Sequence, residues 1–382
     1  MDTPKQVVHM TTVHHPYDPR IYHKECQSLQ NAGYEVTLIA QEDEKEPQKA
    51  NPIHHIPVKQ YSSRFKRIIF GTFEAYKKAR KLKADVYHIH DPELLPTAWL
   101  LKKKDNVVIY DIHEDYITGI MQKDYLKTPL KKVVATIYKF MENFFSRNLE
   151  LCLAEKYYKE MYPRGKCILN YPMVNETFIT HVRVGPAENK LLYTGNVSLV
   201  RGALFHARLP SIDTSISVHL VGKCPSDLAA EMYAVSGNEK DNLVIEGIDS
   251  FVKKEEIDQR YLSRNWLAGI AIFPPTEHYM KKELTKFFEY MNAGLPIICS
   301  NFPVWKNFMD TYECGIAVDP YNDKAIQEAI DYIRKNPDEA RRMGENGKKA
   351  VLEELNWRTE EQKLIAWYNK LLNQRGRASM EG

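Results

Sequence analysis

The chain has 382 residues, room for two domains at about 100 to 200 residues each, which excludes a small disulfide-stapled scaffold. Apolar residues make up 43% and charged residues 27%, the usage of a folded globular protein and not of an extended disordered chain. With 53 basic residues against 50 acidic ones the formal charge is only +3, so no global field draws the chain to nucleic acid and any basic partner surface has to be local.

Short β-rich apolar runs alternate with longer amphipathic segments, the pattern of βα units around parallel sheets. Residues 6–13, 34–40, 85–89, 107–112 and 149–154 read as strands buried on both faces, because their apolar runs are nearly unbroken. Between the first two, Asp18 suits a helix N-cap and Pro19 the first helical position, Ile21, Cys26 and Leu29 share one face, and Gly33 suits the C′ position. After the polar loop 41–51, the next well-marked helix is predicted from Thr128-Pro129, with Leu130, Val133, Val134, Ile137, Met141 and Phe144 at helical period. A proline ends a short strand at Leu169-Asn170-Tyr171-Pro172-Met173, which marks a domain junction. Beyond it, residues 190–195, 216–222, 242–247, 268–274, 296–300 and 315–318 repeat the plan, and a long amphipathic helix follows over 357–372. The expected fold is α/β, two doubly wound Rossmann-like domains, with the site in a cleft at the carboxyl ends of the strands.

The six cysteines, Cys26, Cys152, Cys167, Cys224, Cys299 and Cys314, stand far apart without a C-x-x-C pair, which fits a reducing cytoplasm better than a disulfide framework or a structural zinc site. The apolar run near the N-terminus is broken by Thr and His, so it reads as neither signal peptide nor spanning helix, leaving a cytoplasmic protein that is at most peripheral on a membrane.

Residues 285–298 have the clearest chemical layout: a helix capped by Thr285, closed by Gly294 and followed by a buried strand. Its first turn, at Thr285-Lys286, suits a diphosphate, and Glu289 suits two ribose hydroxyls, although a first-turn acid that only complements the helix dipole reads equally well. The loop from Gly195 and Asn196 to Arg201-Gly202 follows the first strand of the second domain, where small residues admit a phosphate and Arg201 would neutralise it; a solvated arginine is the alternative. Nine of the thirteen histidines fall in the first 113 residues, yet the H-x-H of His88 and His90 supplies no third ligand at a predictable place, so metal binding is not expected. His90-Asp91-Pro92-Glu93 and His113-Glu114-Asp115 each follow a strand end. No D-x-D occurs, which removes the usual magnesium-chelating pair and favours metal-independent catalysis. From Lys59 to Lys83 the chain carries nine basic residues against the single acid Glu74, interleaved with Phe65, Ile68, Ile69, Phe70 and Phe73, and Lys123 to Arg147 adds six basic against two acidic. Both read as attraction to an anionic membrane surface, or else as solvated helix faces.

Taken in order, these motifs resemble family 4 glycosyltransferases of the GT-B fold, in a bacterial surface-polysaccharide subgroup. The resemblance rests on His15-Pro16 with 20–25 and 33–36, on 85–96, on 108–115, on Tyr193-Thr194-Gly195 with Arg201-Gly202, and on 286–296. It implies an acceptor domain over 1–170, a nucleotide-sugar domain over 171–356, and a last helix, 357–374, crossing back to the first. It further implies a nucleotide-sugar donor, transfer with retention and no need of a metal or other cofactor; UDP-sugar is the donor expected here. Carried over by position, Glu289 binds the donor ribose, Arg201 the diphosphate, Thr285 and Lys286 the phosphates, and Ile248 the base, with Gly195 and Asn196 completing the donor loop. His113 stands near the transferred sugar, so His113, Arg201 and Lys286 are the catalytic set, and His15, Arg20, Asp91 and Glu93 lie on the acceptor side. The sequence departs from the family at Lys281, where the first of two glutamates is usual and Glu283 is only a shifted neighbour, at Asn196, and in the glycine-free loop 13–20, where Arg20 would compensate. The implied reaction moves a hexose or N-acetylhexosamine to a lipid-linked or growing polysaccharide acceptor; a GT-B epimerase and a catalytically silent scaffold are the alternatives.

Overall fold

The computed structural model describes the chain except for residues 1–2, 43–52, 114–115, 117–127, 182–184 and 381–382. Glu114, Asp115, most of the loop 41–51 and the start of the basic segment beginning at Lys123 therefore lie outside the described residues. The chain divides into two compact units, 1–170 with 357–382, and 171–356. The helices that matter below are α1 (Thr72–Leu82), α2 (Leu95–Leu101), α3 (Thr128–Ser146), α4 (Thr285–Asn292) and α5 (Trp357–Met380).

The first unit is built on a seven-stranded sheet of β1 (Gln6–Met10), β2 (Glu35–Gln41), β3 (His54–Val58), β4 (Val86–Ile89), β5 (Val107–Ile112), β6 (Glu150–Leu153) and β7 (Lys166–Cys167), in the order β3-β2-β1-β4-β5-β6-β7. Every pairing is parallel, the doubly wound arrangement. Successive residues feed opposite layers: Val7, Val36 and Ile109 pack with Leu364, Trp367 and Tyr368 of α5, whereas Val8, Ile39 and Val108 pack with Ala75, Ala79, Leu95 and Ala98 of α1 and α2. α5 is also pinned by polar contacts, Trp357 Nε1 donating to Ser28 Oγ (2.9 Å) and the Leu169 amide to Glu360 Oε2 (2.9 Å). Asp18 caps the first helical segment as its sequence position suggests, its Oδ1 accepting from the amides of Arg20 (2.8 Å) and Ile21 (3.0 Å). The segment opens as a wide turn over Ile21–Cys26, with a bond from the Glu25 amide back to Arg20 O, before continuing as α-helix over Gln27–Asn31.

α3 forms where its period predicts, but the apolar stripe faces outward. Leu130, Val133, Val134, Ile137, Met141 and Phe144 are all exposed, and the helix instead buries Glu142 and Ser146. Glu142 anchors it by accepting from the hydroxyls of Tyr110 (3.0 Å), Tyr138 (2.9 Å) and Tyr162 (2.5 Å). Periodicity shows that one face is apolar; it does not say whether that face meets the protein's own core.

The second unit carries a six-stranded parallel sheet of β8 (Glu188–Thr194), β9 (Ser217–Cys224), β10 (Leu243–Ile248), β11 (Trp266–Ala271), β12 (Ile297–Ser300) and β13 (Gly315–Val318), in the order β10-β9-β8-β11-β12-β13. α4 buries Phe287, Phe288, Tyr290 and Met291, and the Tyr290 hydroxyl reaches across the sheet to Ile270 O (2.9 Å). That burial leaves Lys286 and Glu289 on its outer side. The N-cap is Leu284, without a side-chain cap, and Thr285 is the first helical residue, one position later than its capping chemistry suggests. Gly294, at φ +65°, closes the helix with the Leu295 amide bonded back to Tyr290 O.

Candidate active site

At the carboxyl end of β8 the chain turns at Gly195, whose φ is +98°. A Cβ there would stand 2.9 Å from Cε and 3.1 Å from Nζ of Lys286, so the ammonium lies directly against the bare backbone. Three donors converge on Glu289 Oε2: Lys286 Nζ at 2.5 Å, the Tyr261 hydroxyl at 3.0 Å and Thr194 Oγ1 at 3.4 Å. Burial alone would push the Glu289 pKa up; the charge and hydrogen bond of Lys286, with the Tyr261 hydroxyl, outweigh it and hold the carboxyl below its ordinary range. The result at neutral pH is an ion pair beside a glycine at the end of a strand, with Lys286 in the first turn of a helix and Glu289 just beyond it.

Arg201 ends the short turn Leu199–Arg201, and its Nε donates to the Tyr279 hydroxyl (3.1 Å). The Tyr193 hydroxyl donates to Asn196 O (2.9 Å), which ties the Gly195-Asn196 turn to the end of β8. Ile248 closes β10, two strands away from β8, and is partly exposed. Between them, Gly195, Gly222 and Gly247 form a row across β8, β9 and β10: a Cβ on Gly222 would meet Gly195 O at 2.1 Å, and one on Gly247 would meet Gly222 O at 2.6 Å. Sequence reasoning used Gly195 and the turn at Gly247-Ile248 but missed Gly222 and the row the three make, although each glycine lies at or near the end of an apolar run. It also missed Thr194, Tyr261 and Tyr279, whose hydroxyls have no periodic signature. Lys281 sits at the end of the exposed helix Glu277–Lys281, 3.6 Å from Glu277, and Glu283 accepts from the Tyr171 hydroxyl (3.3 Å).

The candidate residues of the first unit fall into a second cluster. Arg20 grips Asp111 with two prongs, Nε to Oδ2 (2.9 Å) and Nη2 to Oδ1 (2.8 Å), and reaches Ile168 O (3.1 Å) and Glu25 Oε1 (3.1 Å). Asp111 Oδ2 also meets His90 Nδ1 (3.2 Å) and His113 Nδ1 (3.1 Å), and His113 Nε2 lies 3.0 Å from His14 Nε2. Asp91 Oδ2 accepts from the Thr12 amide (2.6 Å) and Thr11 Oγ1 (2.9 Å), while Glu93 Oε1 takes Thr12 Oγ1 (2.6 Å) and Arg67 Nε (3.0 Å). Two expectations change as a result. Arg20, expected to face an acceptor, is buried and spent on Asp111. Asp91 and Glu93 brace the loop after β1 instead of presenting free carboxylates. His15 is exposed, its Nδ1 accepting from the Tyr17 amide (3.2 Å), and His113 is about a tenth exposed.

The charges follow from competition for one cation. Burial would raise Asp111, but the Arg20 guanidinium holds it well below the usual carboxylate range, whereas burial and then Asp111 push Glu25 well above it. Burial also pushes His9 and His88 down and takes His90 to about 3, so these three rings are neutral at pH 7. Donor atoms of His9, Glu25, His88 and His90 lie within 4.8 Å of one another, as do those of His88, Asp111 and Cys152, and of His90, Asp111 and His113. The His9–His90 and His88–His90 rings stack, at 17° and 22°, instead of converging edge-on, and Arg20 already supplies the local positive charge.

The family model described as "Glycosyltransferase Family 4" matches residues 19–154, and that described as "Glycosyl transferases group 1" matches residues 246–350. Together they take in more than half of the chain. The chain is a family 4 glycosyltransferase. Its fold is that of GT-B enzymes: a glycosyltransferase from Rickettsia africae aligns over 97% of this chain and 99% of its own (14% identity, TM-score 0.72). Sucrose-phosphate synthase from Thermosynechococcus elongatus aligns over 97% and 100% (16%, 0.71), and Anabaena Alr3699/HepE in complex with UDP-glucose over 96% and 99% (10%, 0.67). No curated protein matches the chain. In this glycosyltransferase the group 1 match contains Ile248, Lys286 and Glu289, and the family 4 match contains Arg20, Asp91, Glu93 and His113.

Proposed function

We propose that this glycosyltransferase moves a hexose or N-acetylhexosamine from UDP-sugar to a lipid-linked or growing polysaccharide acceptor of a bacterial surface, on the cytoplasmic side, with retention and without a metal. The carrying observation is the Lys286–Glu289 pair set against Gly195. The glycine lets a diphosphate approach the backbone, Lys286 and the first-turn amides of α4 face its charge, and Glu289, held ionised, accepts ribose hydroxyls. Arg201 adds a planar donor to the departing diphosphate, so the barrier falls by stabilising charge as it develops. Uridine as the base is supported by Anabaena Alr3699/HepE, of the same fold, whose structures hold UDP and UDP-glucose. On the acceptor side Asp111 Oδ2 accepts from His113 Nδ1, which leaves Nε2 facing His14 and, once that contact opens, a sugar hydroxyl.

A thermal-shift series with UDP and UDP-sugars tests the donor, since saturation at a hundred times Kd stabilises by about 2.7 kcal/mol. Proton NMR of the product reads the anomer, and EDTA tests the metal. No shift with any uridine nucleotide, an inverted anomer or loss of activity in EDTA would each remove one part of the reading. Gly195→Ala adds a Cβ in the left-handed region, costing about 1–2 kcal/mol, and displaces Lys286. Its expected result is at least roughly tenfold weaker UDP binding by calorimetry.

A further inference from the structure

The structure places a broad apolar surface on the first unit. α2 packs against both α1 and α3, and Trp99 of α2 meets Phe145 of α3 edge-on at 6.4 Å, so the outward faces of these helices are neighbours. Phe65 (71% exposed) and Phe70 just before α1, Trp99 on α2, and Ile137, Phe140 (68%) and Phe144 on α3 stand in solvent. Large aromatic groups clustered in this way mark an interaction surface. Their fringe is cationic: Arg64, Lys66, Lys132, Lys139 and Arg147 are exposed, Lys77 Nζ lies 4.4 Å above the Phe73 ring and the Arg147 guanidinium 4.9 Å above Phe144. Arg67 takes no part, because it is bound to Glu93.

We infer that this face lies on an anionic lipid surface, with α3 in the interface plane and its stripe inserted among the headgroups. The geometry suits that occupant. A long helix with apolar groups on one side and lysines beside them is the form of an interfacial anchor, cations on flexible stems reach up to phosphates while their stems stay on the rings, and among the described residues no helix is long and apolar enough to cross a bilayer. Two copies of the chain meeting through this face would instead bring like-charged rims together. The inference deepens the proposed reaction and rests on its lipid-linked acceptor: docking would hold the first unit where such an acceptor is.

Co-sedimentation of the full chain with phosphatidylcholine vesicles, alone or with one third phosphatidylglycerol, tests it. Binding is expected on the anionic vesicles, weakening as salt shortens the screening length from about 10 Å at 0.1 M to about 3 Å at 1 M. The double variant Ile137→Asp with Phe140→Asp should bind those vesicles at least about tenfold less, with an unchanged melting temperature and UDP shift, because both residues are exposed. A wild-type chain that stays in the supernatant at low salt, a variant that binds like wild type, or a wild-type dimer that the variant converts to monomers without vesicle binding would each overturn the inference. Vesicle binding without a uridine-nucleotide shift would sink the transfer reading and leave the docking; a shift without vesicle binding would do the reverse.

Discussion

Lys286→Ala is expected to lower kcat for sugar transfer by about a hundred- to a thousandfold, the cost of removing one preorganised group from a developing anion. The larger interest is in its pH profile. Lys286 is the leading influence that holds Glu289 below its ordinary pKa against burial. Without it burial prevails, the pKa rises, and the ionised carboxylate is lost at a higher pH on acidification. The variant's activity should therefore begin to fall at a higher pH than that of wild type, whereas Arg201→Ala, which leaves the Lys286–Glu289 pair intact, should lower kcat without moving that limb. Steady-state rates across pH 4 to pH 8 (roughly the range that spans carboxylate titration) separate these outcomes. A Lys286→Ala enzyme with wild-type kcat, or one with reduced kcat and an unmoved acid limb, would contradict the arrangement.

Arg20→Leu should destabilise the first unit by about 3–5 kcal/mol, because it strips a buried carboxylate of its cation. Asp111 loses both prongs at once, and Glu25 loses the guanidinium that, with Lys24, opposes its burial. Because the folded pKa of Asp111 is depressed, its contribution in wild type is present above the ordinary carboxylate value of 3.8 and is lost only as pH falls well below it. In Arg20→Leu that stabilisation should be absent at neutral pH, so wild type and variant should converge on acidification. Combining Arg20→Leu with Asp111→Asn should cost less than the sum of the two single changes, as expected for residues in one network. Urea unfolding at pH 7 and at low pH measures this, and a loss below about 1 kcal/mol for Arg20→Leu would contradict the buried bidentate geometry.

The sheets were legible because parallel strands are covered on both faces and so write continuous apolar runs. β3 escaped: at the sheet edge, His54-His55-Ile56-Pro57-Val58 has neither a continuous run nor clean alternation, and a proline is tolerated only at such an edge. In the second unit, Glu289 and Lys286 could be proposed from a helix start, but the hydroxyls of Thr194 and Tyr261 that complete the cluster come from segments whose proximity only the fold creates. Arg20 was misjudged for a related reason. Its partner is 91 residues away, in a strand that reads as hydrophobic. The available clue was the aspartate in Val107-Val108-Ile109-Tyr110-Asp111-Ile112, since a carboxylate in a doubly covered strand requires a buried cation somewhere in the chain.

The first unit's dependence on α5 bears on how the protein is made. Residues 171–356 form one unbroken stretch and are all in place before the first unit is whole, whereas one layer of that unit's core lacks Leu364, Trp367 and Tyr368 until the ribosome has passed the entire second unit. Until then His88 has no hydroxyl from Tyr368, which lies 2.7 Å away in the finished protein, and the apolar face of its sheet is open to water. The order of maturation thus runs against the order of synthesis, with the earlier-made half completed last.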